Sequence, residues 1–488
     1  MRTSLSLDLG RRPAGEAVFL SIARALADDI LRGRLRPGEA LPGSRTLAAS
    51  LGVHRNTVLA AYRELEAEGF ITATRAKQTR VSIELPERAT RRAAVRTGAP
   101  RDRVGFELAP AVPSVATPPV PRGVIALHGG LPDLSLVPLT PLVRAYRRAL
   151  SSAAAPLGYG DPAGEPRLRS AIAAMVSRAR GLAVSGEDVL VTRGSQMALY
   201  LAARNLVADG DVIAVESWGY RPAWEALRAA GAELVPIPVD REGLDVSVLT
   251  SLVETRRVRA VYLTPHHQYP TTVLLSQARR MQLLALARRE RIAILEDDYD
   301  HEFHYDNKPV LPLASQDDGG VVVYLGTLSK ILAPGLRFGF AIAPRPLLSR
   351  MTAYRALVDR QGDRALELAV AELAEDGEID RHAHRMRRVY AARRDVMAAA
   401  LERHLGHALR FAVPPGGMAI WAHAPRIDVD AWAERVARVG VSLQTAQRFA
   451  FDGRKRSFLR LGFAGHDGAQ LRSAIERLAR VLRVRRGP

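Results

Sequence analysis

From residue 124 onward, short apolar runs alternate with segments of helical periodicity. Seven runs are typical of buried strands: residues 188–191, 212–215, 234–237, 261–263, 292–295, 321–324 and 338–342. Helices are predicted between them, over 195–207, 221–230 and 276–290. This alternation is typical of a large, mostly parallel α/β sheet, because parallel neighbours need a crossover connection that is usually a helix. After about residue 380 the pattern is more mixed and predicts a smaller α+β lobe.

Three helices and a hairpin are predicted in the first eighty residues. Apolar spacing, turn glycines and two β-rich segments place these elements at 17–33, 45–50, 54–68, 70–74 and 80–83. Ser44 is positioned to cap the second helix, and Gly52 to end it. The order of these elements is that of a winged helix-turn-helix.

In a winged helix-turn-helix, the first turn of the third helix enters the major groove of DNA. Arg55 and Asn56 lie in that turn, and their side chains can contact guanine and adenine edges. The basic residues at the second helix and hairpin suit phosphates. The predicted DNA-binding set is Arg45, His54, Arg55, Asn56, Thr57, Arg75, Lys77 and Arg80. A three-helix protein-interaction domain with polar ends is the alternative.

Composition sets limits on the class of protein. A chain of 488 residues predicts two or three domains, and a net charge of +19 favours a polyanionic partner. An arginine-rich composition alone leaves that partner open. The absence of cysteine excludes disulfides, thiolate metal sites and cysteine catalysis. No apolar run approaches the roughly 20 residues of a membrane span, and no signal peptide is recognisable, so a cytoplasmic protein without a membrane partner is expected.

The segment from 84 to 123 separates these two patterns. It contains seven prolines and seven arginines, which interrupt any periodicity and predict a stiff, extended linker. The expected domains are therefore 1–83, 84–123 and 124–488, with the smaller lobe at about 380–488.

Lys330 is one of only four lysines in a chain with 66 arginines. A lysine amine can form a Schiff base, whereas the guanidinium of arginine stays protonated. Asp297 lies 33 residues upstream and Arg337 seven downstream. A lysine, an acid for a pyridinium nitrogen and an arginine for a phosphate are the requirements of a pyridoxal phosphate (PLP) site. The alternative is an ordinary surface lysine at a strand end.

Further cofactor-binding candidates follow other predicted strands. Gly194, Ser195 and Gln196 begin a helix, whose free N–H groups can bind a phosphate. Tyr220 follows the next strand and could stack on a flat ring. A simple helix cap and a core tyrosine are the alternatives. Thr327 and Ser329 would complete the phosphate site. The acids of 296–300 could instead bind a metal, but they lack the glycine-spaced loop of an EF-hand, and no metal site is predicted.

Two stretches of the N-terminal domain closely resemble the DNA-binding domain of GntR-type bacterial transcription regulators. They are Leu35-Arg-Pro-Gly-Glu-Ala-Leu-Pro-Gly-Ser-Arg45 and Leu47-Ala-Ala-Ser-Leu-Gly-Val-His-Arg-Asn-Thr-Val58. The chain departs from that family at residues 75–79, where a Gly-rich wing tip is usual.

The C-terminal domain resembles fold type I PLP enzymes of the aspartate aminotransferase kind. The matching segments are Gly158–Gly164, Thr192–Gln196, Glu296–Asp300, Gly326–Lys330 and Arg460–Phe463. The resemblance implies a Schiff base at Lys330, with Asp297 on the pyridinium and Tyr299 on the ring 3-hydroxyl. It further implies stacking by Tyr220 and a substrate carboxylate on Arg460. Tyr159 would reach the phosphate of the neighbouring subunit, which implies a homodimer.

Together the two domains resemble the MocR subgroup of GntR-type regulators. That resemblance implies a regulator that binds operator DNA and uses bound PLP to sense an amine, an amino acid or PLP itself. Thr264–Pro270 resembles the subgroup's segment before the Asn-Pro-Thr-Gly turn, but Thr272 replaces the usual glycine and no Asn precedes Pro270. The hydrogen bond to the ring oxygen is then either lost or supplied by Gln268. A working aminotransferase and a cofactor-free repressor on a dimer scaffold are the alternatives.

Overall fold

The structure is a computed structural model, which describes residues 7, 17–73, 78–85, 104–109, 111, 113, 120–151, 156–306 and 310–483. Two compact units divide the chain, Met1–Pro110 and Ala111–Pro488. Two residues of the predicted hairpin tip, Arg75 and Lys77, lie outside the described residues.

The N-terminal unit contains three helices and one hairpin. Its elements are α1 (Val18–Leu31), α2 (Ser44–Leu51), α3 (Arg55–Ala67), β1 (Ile71–Ala73) and β2 (Thr79–Val81). The apolar stripe Ile22, Leu26 and Ile30 of α1 is buried together with Val58 and Leu65 of α3. The strands pair antiparallel. Phe70 precedes the first strand, residues 82 and 83 follow the second, and Thr74 lies outside the described residues. The second strand begins one residue earlier than predicted, where Thr79 pairs with Ala73. The winged helix-turn-helix prediction is confirmed.

The turn between α2 and α3 differs in one detail from the prediction. Gly43, not Ser44, is the N-cap of α2; Ser44 is the first helical residue, and the glycine has no side chain that could cap this end. Gly52 ends α2 with φ of 65°, a left-handed conformation that glycine adopts without steric cost. His54 caps α3, because its Nδ1 accepts a hydrogen bond from the Asn56 N–H at 3.3 Å.

The C-terminal unit contains the remaining helices and strands of the described residues. The helices are α4 (Leu139–Ser151), α5 (Pro166–Arg180), α6 (Ser195–Leu206), α7 (Arg221–Ala229), α8 (Val246–Thr255), α9 (Gln277–Glu290), α10 (Arg345–Val358), α11 (Arg364–Glu375), α12 (Glu378–Leu405), α13 (Val429–Ala437) and α14 (Gly468–Arg483). The strands are β3 (Ile125–Ala126), β4 (Val189–Arg193), β5 (Val212–Glu216), β6 (Glu233–Ile237), β7 (Val239–Asp240), β8 (Gly243–Leu244), β9 (Val258–Leu263), β10 (Ala293–Asp298), β11 (Val322–Thr327), β12 (Phe338–Ile342), β13 (Arg410–Phe411), β14 (Ala419–His423), β15 (Val441–Ser442), β16 (Gln444–Thr445) and β17 (Phe458–Gly462).

All seven predicted apolar runs lie in one sheet, with the strand order β4-β12-β11-β10-β9-β5-β6. Only β12 is antiparallel to its neighbours. Alternate residues of β5 face opposite sides. Ile213 packs in the cluster that contains Trp224 of α7, whereas Ala214 packs in the cluster that contains Leu283 of α9. Both faces are covered by helices, as expected for continuous apolar strands. The prediction of a mostly parallel α/β sheet is therefore confirmed.

A smaller antiparallel sheet, with the order β13-β14-β17-β16, forms the second lobe of this unit. One of its faces packs on α12, α13 and α14 through a core that contains Leu401, Trp432 and Leu459. The short strand β3 pairs with β15. Residues near the start of the unit therefore contribute to the lobe that the sequence predicts from about residue 380. Within the described ranges, no helix is both long and apolar enough to cross a membrane.

Candidate functional site

The candidate phosphate-binding residues meet where β4 and β11 end and β12 begins. Gly194 is the N-cap of α6 with φ of 83°, and Ser195 is the first residue of that helix. A Cβ on Gly339 of β12 would lie 2.3 Å from the Ser195 nitrogen, so the strand packs directly on the helix start. Thr327 faces Gly339 across the ladder. The N-terminus of α6 and the end of β11 therefore lie side by side.

The side chains of this group are held by backbone contacts. Thr327 Oγ1 donates to the Phe338 carbonyl at 2.8 Å and accepts from the Ser329 N–H at 3.1 Å. Arg337 donates from Nη2 to the Arg193 carbonyl at 3.0 Å, which brings its guanidinium to Gly194. An arginine and free helix N–H groups then share one position, which suits an anion. The Gln196 amide instead donates to the Pro222 carbonyl at 2.8 Å.

Lys330 lies close to one glycine and an arginine. Its Nζ donates to the Gly130 carbonyl at 2.8 Å. A Cβ on Gly130 would lie 3.9 Å from Lys330 Nζ and 3.8 Å from Arg460 Nη1. Burial lowers the pKa of Lys330 to about 8, and repulsion by Arg460 acts in the same direction. A measurable fraction of this amine is therefore neutral at pH 7.

Asp297 is buried at the end of β10, next in the sheet to β11. Its Oδ2 accepts a hydrogen bond from the Tyr262 hydroxyl at 2.8 Å, and its Oδ1 has no partner among the described residues. Burial raises the pKa of Asp297 to about 6, although the Tyr262 hydroxyl favours the charged form. Tyr299 donates from its hydroxyl to the His267 carbonyl at 2.9 Å. Sequence reasoning missed Tyr262, because nothing local marks its contact with a residue on the neighbouring strand.

Arg460 is fully buried, and its three guanidinium nitrogens have no hydrogen-bond partner in the described part of the chain. Tyr269 covers it, with 4.1 Å from the guanidinium carbon to the ring centre. A Cβ on Gly129 would lie 2.5 Å from Arg460 Nη1, so a larger residue there would displace the guanidinium. A buried donor without a partner costs about 1–3 kcal/mol, and more when it is charged. An anion bound here would remove that cost.

Two neighbours of Arg460 on the smaller sheet were also missed by sequence reasoning. Trp421 of β14 and Gln444 of β16 are its cross-strand partners, so their side chains lie on the same face of the sheet as that of Arg460. Gln444 Oε1 is buried, and no described residue gives it a hydrogen bond. Neither residue belongs to a motif; only the strand register brings them to the site.

Three further candidates have different surroundings. Tyr220 precedes α7, is 39% exposed, and contacts the Tyr269 ring edge-on at 5.5 Å. The Gln268 amide donates to the Trp218 and Tyr269 carbonyls at 2.8 and 2.7 Å, so its contact with a ring oxygen stays a prediction. Tyr159 is 77% exposed.

The acids of 296–300 have separate roles. Glu296 accepts hydrogen bonds from two backbone N–H groups, and Asp300 contacts His267 Nδ1 at 2.8 Å. One oxygen of Asp298 contacts His301 Nδ1 at 2.9 Å. Burial raises the pKa of Asp298 and lowers that of His301, but the contact between the two groups acts in the opposite direction. The pKa of Asp298 therefore lies well below its usual value and that of His301 above it. Asp298 and His301 therefore form a buried ion pair.

A metal at this ion pair is the competing use of the cluster. Ligand atoms of His266, Asp298 and His301 lie within 4.8 Å of one another. Bonds of about 2.1 Å to tetrahedral zinc would need separations of roughly 3.4 Å. Asp298 Oδ2 also accepts from the Tyr324 hydroxyl at 2.7 Å. These contacts favour the ion pair, and the expectation of no metal stays a prediction.

In the N-terminal unit, the candidate DNA contacts lie at the starts of α2 and α3. Arg45, His54, Arg55 and Asn56 are exposed, and Thr57 is half-buried. Arg55 Nε donates to Ser44 Oγ at 3.3 Å, which links the two helix starts.

Arg80, on the second hairpin strand, is half-buried and already engaged. It donates to the Gly38 carbonyl and to Gln78 Oε1, both at 2.9 Å.

Comparison with known proteins assigns both units. Residues 20–81 match the family described as bacterial regulatory proteins, gntR family, and residues 128–478 match aminotransferase class I and II. The chain is 34% identical to the probable rhizopine catabolism regulatory protein MocR of Rhizobium meliloti, over 96% of this chain and 94% of that protein. It is 33% identical to the HTH-type transcriptional regulator TauR of Rhodobacter capsulatus, over 95% and 96%. The chain is a MocR-type member of the GntR regulators.

Solved structures relate the larger unit of this MocR-type regulator to PLP enzymes. The α-aminoadipate aminotransferase LysN of Thermus thermophilus, complexed with N-(5'-phosphopyridoxyl)-L-leucine, gives a TM-score of 0.69 at 29% identity. That match covers 74% of this chain and 93% of LysN. The multiple substrate aminotransferase of Thermococcus profundus gives 0.70 at 31% identity, over 75% and 92%. PLP is the cofactor of this fold family. The prediction of a DNA-binding transcription regulator with an aminotransferase-like domain is confirmed, and it is favoured over the alternative of a working aminotransferase.

Proposed function

We propose that this regulator attaches PLP to Lys330 and detects a ligand that carries both a carboxylate and an amine. Binding of that ligand alters how the regulator binds operator DNA. The observation that carries the proposal is the Arg460 guanidinium, which is fully buried close to the Lys330 amine and has no hydrogen-bond partner among the residues described. A ligand that joins an amine to a carboxylate satisfies both positions. PLP itself, bound by the same residues, is the second candidate effector.

The residues present fit PLP. Gly194, Ser195, Thr327, Ser329 and Arg337 would hold the phosphate at the N-terminus of α6.

The ring would be held at its other end by acid and tyrosine side chains. Asp297 has one oxygen without a partner in the described ranges, which suits the pyridine nitrogen, and Tyr299 offers a hydroxyl to the ring oxygen. Tyr220 would stack on the ring and Gln268 or Gln196 would add polar contacts. PLP, when bound, supplies an aldehyde carbon that amines attack.

The pH dependence of PLP attachment tests the role of Lys330. Only the neutral amine attacks the aldehyde, and with a pKa of about 8 the neutral fraction rises about tenfold between pH 6 and pH 7 and levels off above pH 8. The rate at which the apo-protein acquires its long-wavelength absorbance should follow that curve. Lys330→Ala should show no such band, and borohydride should fix no label on it. A Lys455→Ala control, at an exposed lysine, should behave like the parent protein. An unchanged band in Lys330→Ala would refute the assignment.

The carboxylate of the ligand is assigned to Arg460. Arginine binds carboxylates with two parallel hydrogen bonds, and no described residue occupies any donor of this guanidinium. Gln444 Oε1, next to it in the strand register, offers an acceptor for an N–H group of the ligand. The Tyr269 ring stacks on the Arg460 guanidinium and would border the bound carboxylate.

Titration of the PLP-loaded protein tests this assignment. Amino acids should change the cofactor spectrum, whereas the matching amines without a carboxylate should bind at least about 30-fold more weakly, corresponding to roughly 2 kcal/mol for one lost buried charge contact. Arg460→Gln should remove the difference between the two series, and Arg456→Gln, at a more exposed arginine, should keep it. Equal binding of both series to the parent protein would exclude a carboxylate contact. A response to PLP alone would favour PLP as the effector.

A second copy of the chain is proposed as the partner of exposed apolar residues in and near α4 in the sequence. Five residues between positions 134 and 159 are each more than half exposed: Leu134, Leu139, Val143, Leu157 and Tyr159. Exposed apolar residues, where they form a patch, mark an interface. A dimer would also bring Tyr159 of each subunit to the phosphate of the other, as the aminotransferase fold implies.

Light scattering tests the dimer directly. The mass should be about twice the 53.1 kDa of one chain. Val143→Glu places a charge in the proposed interface and should yield monomers that lose PLP more readily. Val248→Glu introduces the same charge at a partly exposed valine of α8 and should leave the dimer intact. A monomeric parent protein would contradict this part of the proposal.

Operator recognition is assigned to the exposed start of α3. Arg55→Ala should weaken specific binding by about 1–3 kcal/mol, because one base contact is lost, and should affect an unrelated duplex much less. Arg32→Ala, at the end of α1, is the matched control. The measurement is fluorescence anisotropy on duplexes selected from random sequences, at one fixed salt concentration. An equal loss on specific and unrelated duplexes would assign Arg55 to the phosphates instead.

A further inference from the structure

A cavity of about 710 Å³ lies in the smaller lobe. It is bounded by the loop after α12, strand β13, the loop before α13, and the last residues of α14. None of these segments contributes a group to the proposed PLP and effector positions. A volume of this size lies within the range of small-molecule sites.

Four arginines line this cavity: Arg410, Arg426, Arg435 and Arg483. One acid, Asp428, is among the lining residues, and its carboxylate accepts hydrogen bonds from the backbone N–H groups of residues 430 and 431 at the start of α13. The cavity is therefore strongly cationic.

The arginines of the cavity differ from others in this lobe. Arg393 and Arg456, for comparison, each pair with an aspartate at 2.8 Å, whereas none of the four lining arginines forms an ion pair with a described residue. Arg435 donates from Nη1 to the Ala431 carbonyl at 3.1 Å, but its Nε is buried without a hydrogen-bond partner in the described ranges. Four guanidinium groups beside one lining acid leave a net positive charge, which favours a bound anion.

Helix dipoles explain only part of this cluster. Arg435 and Arg483 lie in the last turns of α13 and α14, where a positive charge stabilises the helix. Arg410 lies on a strand and Arg426 in a loop. No helix end accounts for these two residues, and their convergence on the same cavity calls for another explanation.

We propose that this cavity is a second ligand site, which binds a small phosphate-bearing anion of about nucleotide size. Planar guanidinium groups match the oxygens of a phosphate with paired hydrogen bonds. Because the site is a concave cavity and not a ridge or flat surface, a small molecule fits it better than the backbone of duplex DNA.

The strand register connects this cavity to the effector position. Arg410 of β13 pairs with His423 of β14, and His423 stacks on Phe458 of β17 with 4.5 Å between ring centres. Trp421 lies two residues before His423 on β14, and it pairs with Arg460 on β17. An anion held by Arg410 would therefore contact the sheet that also carries Arg460, and any coupling between the two ligands would be reciprocal.

Calorimetric titration with pyrophosphate and with adenosine monophosphate tests the site. The full-length protein is first loaded with PLP and reduced with borohydride, so that the cofactor phosphate position is filled. The double substitution Arg410→Gln and Arg426→Gln should weaken binding at least tenfold. Arg472→Gln, at an exposed arginine of α14 outside the cavity, should change it less than twofold. Arg426→Glu alone is the second variant and should also weaken binding at least tenfold.

Three results would overturn the proposal. They are absence of binding to the parent protein, binding that the cavity substitutions leave unchanged, and displacement of pyrophosphate by an unrelated duplex with the same dependence on Arg410 and Arg426. The last result would identify a surface for the DNA backbone. Titration of Lys330→Ala separates this site from the sensor: arginine-dependent binding there supports the cavity even if PLP never attaches to the chain.

Discussion

The carboxyl ends of β4, β10 and β11 lie at one edge of the seven-stranded sheet, and the candidate site depends on that arrangement. Because β12 runs in the opposite direction, its first residues lie at the same edge and bring Arg337 to the N-terminus of α6. Gly339 allows this close approach, since a Cβ there would overlap backbone atoms of Gly194. One antiparallel strand in a parallel sheet thus adds a cation to a helix N-terminus.

Half-buried Lys330 and fully buried Arg460 lie near each other in this site. Lys330 and Arg460 both lie within 4 Å of the Cβ position of Gly130, and neither has a carboxylate among its hydrogen-bond partners in the described part of the chain. Burial and mutual repulsion lower the pKa of Lys330, whereas arginine stays charged. The amine is therefore available as a nucleophile while the guanidinium keeps its full attraction for an anion. A ligand carboxylate on Arg460 would offset part of the desolvation cost of burying this guanidinium.

Sequence reasoning identified residues whose chemistry is unusual for their surroundings. Lys330 was recognisable because lysine is so rare in this chain, and Asp297 because several acids follow an apolar run. Sequence reasoning did not identify Tyr262, Gly129 and Gln444. An aromatic residue in a strand, a glycine in a loop and a glutamine are common in any protein. Their importance comes from contacts with residues that lie on other elements, far away along the chain.

The sequence by itself determined the two domain types and the seven strands of the large sheet, and it supplied candidate residues for a cofactor, because periodicity and residue type are local properties. The tertiary structure decided which neighbours those residues have. The register of β14, β16 and β17 places Trp421 and Gln444 beside Arg460, and the strand order places Tyr262 on Asp297. Burial also depends on the whole fold, and burial is what shifts the pKa values of Asp297 and Lys330 towards neutrality.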